Sequence, residues 1–162
     1  MLKPSLLQSH DHAHCMREAI ATAHTICQTK KIRLTPIRLR IFELIWSNHK
    51  AVGAYDLLEI LQREDPKAKP VTIYRALDFL LAAGLIHKVA SLNAFVGCST
   101  PETSHHSVLL ICDTCQNTNE VEAQSIYEAI CEIGEKNAFQ PQQPTFELHG
   151  YCAACCKKME TR

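Results

Sequence analysis

Two matched cysteine pairs, Cys112-x-x-Cys115 and Cys152-x-x-Cys155, have the residue types and spacing best suited to chemistry in this chain. A two-residue gap lets one tight turn present two thiolates to an ion about 2.3 Å away, and two such turns complete a tetrahedron. With 36 residues between the pairs, longer than a single zinc finger, the ion would tie together the two ends of a whole segment. A closed four-sulfur site has no open position, so its role is structural. Buried unligated cysteines and a thiol-redox pair are the competing explanations, although one CxxC would suffice for redox chemistry. Cys156 adjoins Cys155 and could replace it. The spacing favours Cys155.

A second group of ligand-type residues lies further back: His87, Cys98, His105 and Glu120. Spacing alone is a weak argument for joining them. His106 beside His105 leaves that position ambiguous by one residue. A third group, His10, His12, His14 and Cys15, reads as a frayed, partly helical terminus or as low-affinity metal capture. The chain has nine cysteines in all. In a reducing compartment they are unsuited to structural disulfides, which leaves ligation, catalysis or burial.

The elements that must position these groups follow from periodicity. Apolar residues recur at helical spacing over about Asp11–Lys30 (Ala19, Ile20, Ala23, Ile26, Cys27). A second helix opens at Thr35-Pro36, a capping residue before proline at the first helical position, and runs to about Asn48. A third covers Ala54–Glu64, with Ala54, Leu57, Leu58 and Leu61 inward. A fourth runs from Val71 to Gly84, with Ile73, Ala76, Leu77, Leu80 and Leu81 at i, i+3, i+4, i+7 and i+8. Leu85–Ala90 and Ala94–Cys98 then read as two strands around a short turn at Ser91-Leu92-Asn93. Helices followed directly by a hairpin form the outline of a winged helix-turn-helix module over residues 1–98. Ser99–Ser107 is a linker, and residues 108–162 make a second unit. That unit has strands at Val108–Ile111, Thr118–Glu122 and Thr145–His149, a helix over Gln124–Asn137 and a last cysteine-bearing helix. The fold class is therefore α+β, and so small a second core needs a staple or a second subunit.

Charge divides at the same place. The first 98 residues carry 13 Lys and Arg against 8 Asp and Glu, and the remainder 4 against 9. A basic first half is compatible with nucleic acid. On the fourth helix Arg75 lies almost opposite the apolar stripe, about one turn in, with Thr72 and Tyr74 on the flanks. A recognition helix needs a guanidinium there for a guanine edge or a phosphate. Tyr55, on the polar face of the third helix, is placed to pack on a sugar or base. No run of about 18 apolar residues spans a membrane, and the polar N-terminus does not read as a signal peptide. The expected location is cytoplasmic.

The runs Ala54-Tyr55-Asp56-Leu57-Leu58 and Lys69-Pro70-Val71-Thr72-Ile73-Tyr74-Arg75-Ala76-Leu77-Asp78-Phe79-Leu80 resemble the ferric uptake regulator family. Gly84-Leu85-Ile86-His87-Lys88-Val89, Cys112-Asp113-Thr114-Cys115 and His149-Gly150-Tyr151-Cys152-Ala153-Ala154-Cys155 extend the match, most closely to the zinc uptake regulator branch. The resemblance implies a metal-activated repressor, not an enzyme, that binds double-stranded DNA as a homodimer on a palindromic operator. It implies two zinc ions per subunit: a structural one on Cys112, Cys115, Cys152 and Cys155, and a regulatory one on His87, Cys98, His105 and Glu120. It places DNA contacts at Tyr55 and Arg75, and implies a dimerisation role for the second unit, with neither membrane nor small-molecule substrate. Iron-sensing members carry a His-His-Asp-His run where this chain has Ser104-His105-His106-Ser107, and the Cys98 thiolate also favours zinc over ferrous iron. An iron- or other metal-responsive regulator of the same family is the alternative, with a thiol-redox protein behind it.

Overall fold

The computed structural model describes residues 12–47, 49–101, 106–141 and 146–160. The elements run α1 (His12–Thr29), α2 (Pro36–Trp46), β1 (Val52–Gly53), α3 (Ala54–Glu64), α4 (Pro70–Ala82), β2 (Ile86–Val89), β3 (Ala94–Gly97), β4 (Ser107–Cys112), β5 (Thr118–Glu122), α5 (Gln124–Lys136), β6 (Phe146–Gly150) and α6 (Ala153–Glu160). Four helices in the first half and the hairpin after them match the sequence reading. Asp11, Asn48 and Thr145, which that reading included at element ends, lie outside the described residues.

Helical periodicity builds the first core. Ile41 and Ile45 of α2, Leu57 and Leu61 of α3, and Ile73, Leu77 and Leu80 of α4 are all buried together with Ala23 of α1. The end of α4 is set by Gly84, whose φ of 76° suits the left-handed cap. Its N–H bonds Leu81 O and the Leu85 N–H bonds Leu80 O, the paired bonds that satisfy a helix C-terminus. Lys30 Nζ adds a cation there, 2.8 Å from Ala83 O. Thr35 is the N-cap of α2 and Pro36 its first residue, as expected, although the Thr35 side chain makes no capping bond. One expectation needs correction. The wing has three strands, not two: β1 pairs with β3 through Val52 and Phe95, giving the order β1-β3-β2. Two residues are too few for periodicity to register.

The second sheet has order β5-β4-β6, with β5 antiparallel and β6 parallel to the central β4. The two halves meet on this sheet. Val89 and Val96 of the wing pack with Leu109 and Ile111 of β4 in a small second core. Backbone joins them as well: Lys50 bridges Asn117, and Thr118 N–H donates to His49 O at 2.9 Å.

Gly97 sets how closely β3 approaches α2. A Cβ there would stand 2.2 Å from the Trp46 indole, so any side chain must displace Trp46 or the strand that leads into Cys98. Gly97→Ala is expected to cost about 1–3 kcal/mol in urea unfolding, as overpacking does. A midpoint equal to the parent's would show that Trp46 moves freely.

Candidate metal centres and DNA-facing surface

The first cysteine pair sits on the turn between β4 and β5, and the second at the start of α6. Parallel pairing of β4 with β6 brings Cys112 opposite Gly150, two residues before Cys152. Turn geometry does the rest: Gln116 adopts φ 60° after the first pair, and Asp113 N–H donates to Gly150 O at 2.8 Å. The four sulfurs of Cys112, Cys115, Cys152 and Cys155 all lie within 4.8 Å of one another. Cys115 Sγ and Cys152 Sγ are 3.8 Å apart, about the edge of a tetrahedron of sulfurs around zinc. The donor set fits that ion. Cys156 is not among the four; its thiol points to Tyr151 O at 3.7 Å.

The cluster is electrically uneven. Backbone N–H groups of Cys115 and Cys152 stabilise the Cys112 thiolate and lower its pKa to about 6. Cys155 is pushed the other way, to about 12, chiefly by its hydrogen bond with Cys152 and then by burial. A thiolate is favoured at Cys112 and resisted at Cys115 and Cys155, as expected where sulfurs share a space that suits a cation.

A second constellation bridges the two halves. His87 comes from β2, Cys98 follows β3, and Glu120 lies on β5; their donor atoms also fall within 4.8 Å. His87 Nε2 is 2.8 Å from Glu120 Oε1, and Cys98 Sγ is 4.0 Å from the same oxygen. The other carboxylate oxygen accepts from Ser99 N–H at 2.7 Å and Ser99 Oγ at 2.9 Å. Burial would raise the Glu120 carboxyl, but the His87 imidazole and then the Ser99 amide and hydroxyl hold it well below the usual carboxylate range. Burial, and next the Glu120 charge, push the Cys98 thiol up to about 12. A nitrogen, a sulfur and a carboxylate at this spacing suit a borderline divalent ion such as zinc. Ser99 is the partner that sequence reasoning missed, and a lone serine after a strand gives no signal for it.

His105, the expected fourth donor, lies outside the described residues. His106 is described, with its ring stacked on Tyr127 at 3.4 Å between centroids and its carbonyl accepting from Ala123 N–H. Of the N-terminal group, His10 also lies outside them. His14 is paired with Glu18 at 3.2 Å. Cys15 lines a cavity of about 630 Å³ that reaches Cys98 and Glu120.

The expected DNA-contact residues are on the surface. Tyr55, in the first turn of α3, is 75% exposed, and Tyr74 on α4 is 46% exposed. Arg75 is exposed and Thr72 half-buried beside the inward Ile73. Val71, 52% exposed, extends this apolar and cationic strip at the start of α4. A tyrosine so exposed buries little apolar area within the chain.

Because folding depresses the Glu120 pKa, its contribution to stability is full above the ordinary value of 4.5 and fades as pH falls toward the folded value. In metal-free protein, Glu120→Gln is expected to cost about 1–3 kcal/mol at neutral pH by urea unfolding. That gap should narrow between pH 4.5 and about pH 3. A gap that ignores acidification would mean that the carboxylate charge stabilises nothing.

Residues 29–149 match the ferric uptake regulator family as a whole. The zinc uptake regulation protein of Escherichia coli strain K12 is 41% identical over 140 residues, 86% of this chain and 82% of that protein. A solved zinc uptake regulator complexed with zinc and DNA superposes with a TM-score of 0.84 at 39% identity, over 91% of this chain and 98% of the other. The holo crystal structure of XcZur gives 0.79 at 40% identity, over 86% of this chain and 98% of the other. Its apo crystal structure gives 0.51 at 38% identity, over 88% and 99%. With its two cysteine pairs and its winged helix in these positions, the chain belongs to the ferric uptake regulator family.

Proposed function

We infer that this protein is a zinc-responsive, DNA-binding repressor of zinc uptake genes, active as a homodimer on a palindromic operator when its regulatory site holds zinc. The observation that carries this reading is the convergence of His87, Cys98 and Glu120 from both halves of the chain onto one point. Likeness to a regulator bound to zinc and DNA supports it. So does the closer match to the holo than to the apo form of XcZur.

In this reading Cys112, Cys115, Cys152 and Cys155 hold the structural zinc, and His87, Cys98, Glu120 and His105 hold the regulatory one. His105 is favoured over His106 because the His106 ring is already stacked on Tyr127. The winged helix is residues 1–98, the hinge 99–107 and the dimerisation unit 108–162. Zinc supplies the positive charge that lets the Cys98 thiol ionise beside a buried carboxylate. The protein's own groups do the rest. Glu120 and Ser99 hold the base of the wing against β5, which fixes the direction of α4 relative to the second sheet. In a dimer the two copies of α4 then stand about 34 Å apart, one turn of DNA, with Tyr55, Thr72, Tyr74 and Arg75 presented to it.

Homodimerisation is supported by apolar surface on the second half. Leu148 is 61% exposed, Tyr151 58%, Ile133 61% and Phe139 69%, more than a small isolated unit leaves open without cause. Among the described residues no helix is long and apolar enough to cross a membrane. The proposed setting is the cytoplasm, where a regulator meets DNA and binds rather than catalyses.

Fluorescence anisotropy with a palindromic duplex, with zinc and with chelator, tests the reading. Zinc should tighten binding of the parent by at least tenfold. Cys98→Ser should lose that response while remaining a folded dimer, and Arg75→Ala should weaken specific binding by about 1–3 kcal/mol if Arg75 reads a base. Zinc-independent binding, or a Cys98→Ser variant that responds fully, would sink it. Separately, Cys112→Ser should lose one zinc per chain by elemental analysis and melt the second half in circular dichroism. An unchanged melt would remove the structural role.

A further inference from the structure

Strand register places two carboxylates symmetrically on the face of the second sheet that meets the wing. Leu109 of β4 is in register with Glu120 of β5 on one side and Glu147 of β6 on the other, so all three side chains share that face. Leu109 is fully buried under the wing. Glu120 grips the wing at its base, through His87 and Ser99. Glu147 grips the tip: Oε1 accepts from Ala90 N–H at 2.5 Å and Oε2 from Ser91 N–H at 3.1 Å. One carboxylate on two successive backbone donors is a bidentate, charge-assisted contact. The Glu147 side chain is only 14% exposed, which limits the solvent screening that weakens surface pairs.

His149 extends this contact to the cysteine cluster. It sits two residues along β6, on the same face, opposite Ile111. Its Nε2 lies 3.1 Å from Ser91 Oγ and its Nδ1 2.8 Å from Asp113 Oδ1. Asp113 stands between Cys112 and Cys115. The wing tip, His149 and the cysteine turn thus form one chain of contacts. The contacts of Glu147 and His149 with Ala90 and Ser91 cross to the other half, so stapling the second half does not account for them, and they involve none of the regulatory donors.

We propose that Glu147 and His149 are positioning residues of a second interdomain clasp, one that holds the wing tip and couples the four-cysteine knuckle to the orientation of α4. Packing of Val89 and Val96 on β4 is non-directional, whereas directed bonds at both ends of the wing, to Glu120 and to Glu147, fix its angle. His87 lies three residues before Ala90 on the same arm, about 10 Å along the chain. The clasp therefore preorganises a regulatory donor as well as the DNA-binding helix. By thermodynamic linkage, releasing it must weaken regulatory zinc binding and zinc-dependent DNA binding together.

The proposal rests on the metal-gated reading above for its effect on DNA, and its test separates the two. In the full-length, zinc-stapled protein, Glu147→Gln keeps the shape and removes the charge. Ser91→Ala changes only the wing side and leaves the second half intact. Three quantities are read: hydrogen exchange at the Ala90 and Ser91 amides, regulatory zinc affinity by competition with a chromophoric chelator, and duplex binding by anisotropy. Glu147→Gln should speed exchange at both amides and weaken zinc and zinc-loaded DNA binding by roughly 5- to 30-fold. DNA binding without zinc should stay unchanged, and one tightly held zinc per chain should remain. Ser91→Ala should act in the same direction, and the double variant should fall short of the product of the two. Unchanged amide exchange, or zinc affinity within twofold of the parent, overturns the clasp. If the parent shows no zinc-dependent DNA binding, the functional reading fails, while exchange and zinc affinity still decide the clasp.

Discussion

A carboxylate withdrawn from water must be answered by fixed donors, and Glu120 imposes that condition on everything around it. Its side chain is only 6% exposed. Three groups that answer it, the His87 imidazole and the amide and hydroxyl of Ser99, belong to the wing or to the segment just after it. That share of its compensation is present when the two halves are docked. The same carboxylate and the same burial keep the adjacent Cys98 protonated. The joint accepts one negative charge and resists a second. A divalent cation removes that resistance, which is why this donor set suits a sensor better than a permanent staple.

The contrast with the cysteine cluster follows from the elements that supply the donors. Cys112 and Cys115 share one turn, and parallel pairing of β4 with β6 carries Cys152 and Cys155 to it. All four donors come from the second half, so an ion there stabilises that half directly and touches the wing at second hand, through Asp113 and His149. His87, Cys98 and Glu120 come from separate elements of both halves, and an ion there is sensitive to how the halves sit. Ser99 sharpens the difference. It holds the second carboxylate oxygen of Glu120, leaving the first to face His87 and Cys98.

What the sequence made legible was whatever has a period or a fixed local spacing. The α2, α3 and α4 stripes, the two wing strands and both CxxC turns could all be read locally, and family likeness supplied the grouping of His87, Cys98 and Glu120. What stayed hidden was set by pairing over long separations. β1 is two residues long, and its pairing with β3 spans some forty residues. Ser99 is an ordinary linker serine until β5 brings Glu120 beneath it. Glu147 reads as a polar residue on a half-exposed strand. Its partners are backbone amides 56 and 57 residues away, and an amide has no side-chain identity to betray it. Likewise, His105 and His106 are equivalent as letters, and the stacking of His106 on Tyr127 is what favours His105 in the proposed site.

The central strand links these events mechanically. Ser107-Val108-Leu109-Leu110-Ile111-Cys112 is apolar on both faces, a pattern that requires cover on each side. Leu109 and Ile111 are covered by Val89 and Val96 of the wing. Leu110, on the opposite face, is flanked in register by Asn119 and by Leu148, which is 61% exposed. In the proposed homodimer that face is where a second copy would complete the burial. One strand would then separate the joint that sets each α4 from the interface that sets the distance between the two α4 helices. Once covered on both faces, the strand would transmit displacement, because packed side chains leave little empty space to absorb it. A shift of the wing over Leu109 would then be felt on the side of Leu110, and in the proposed dimer the geometry of the operator-binding pair would depend on how firmly Glu120 and Glu147 hold the wing.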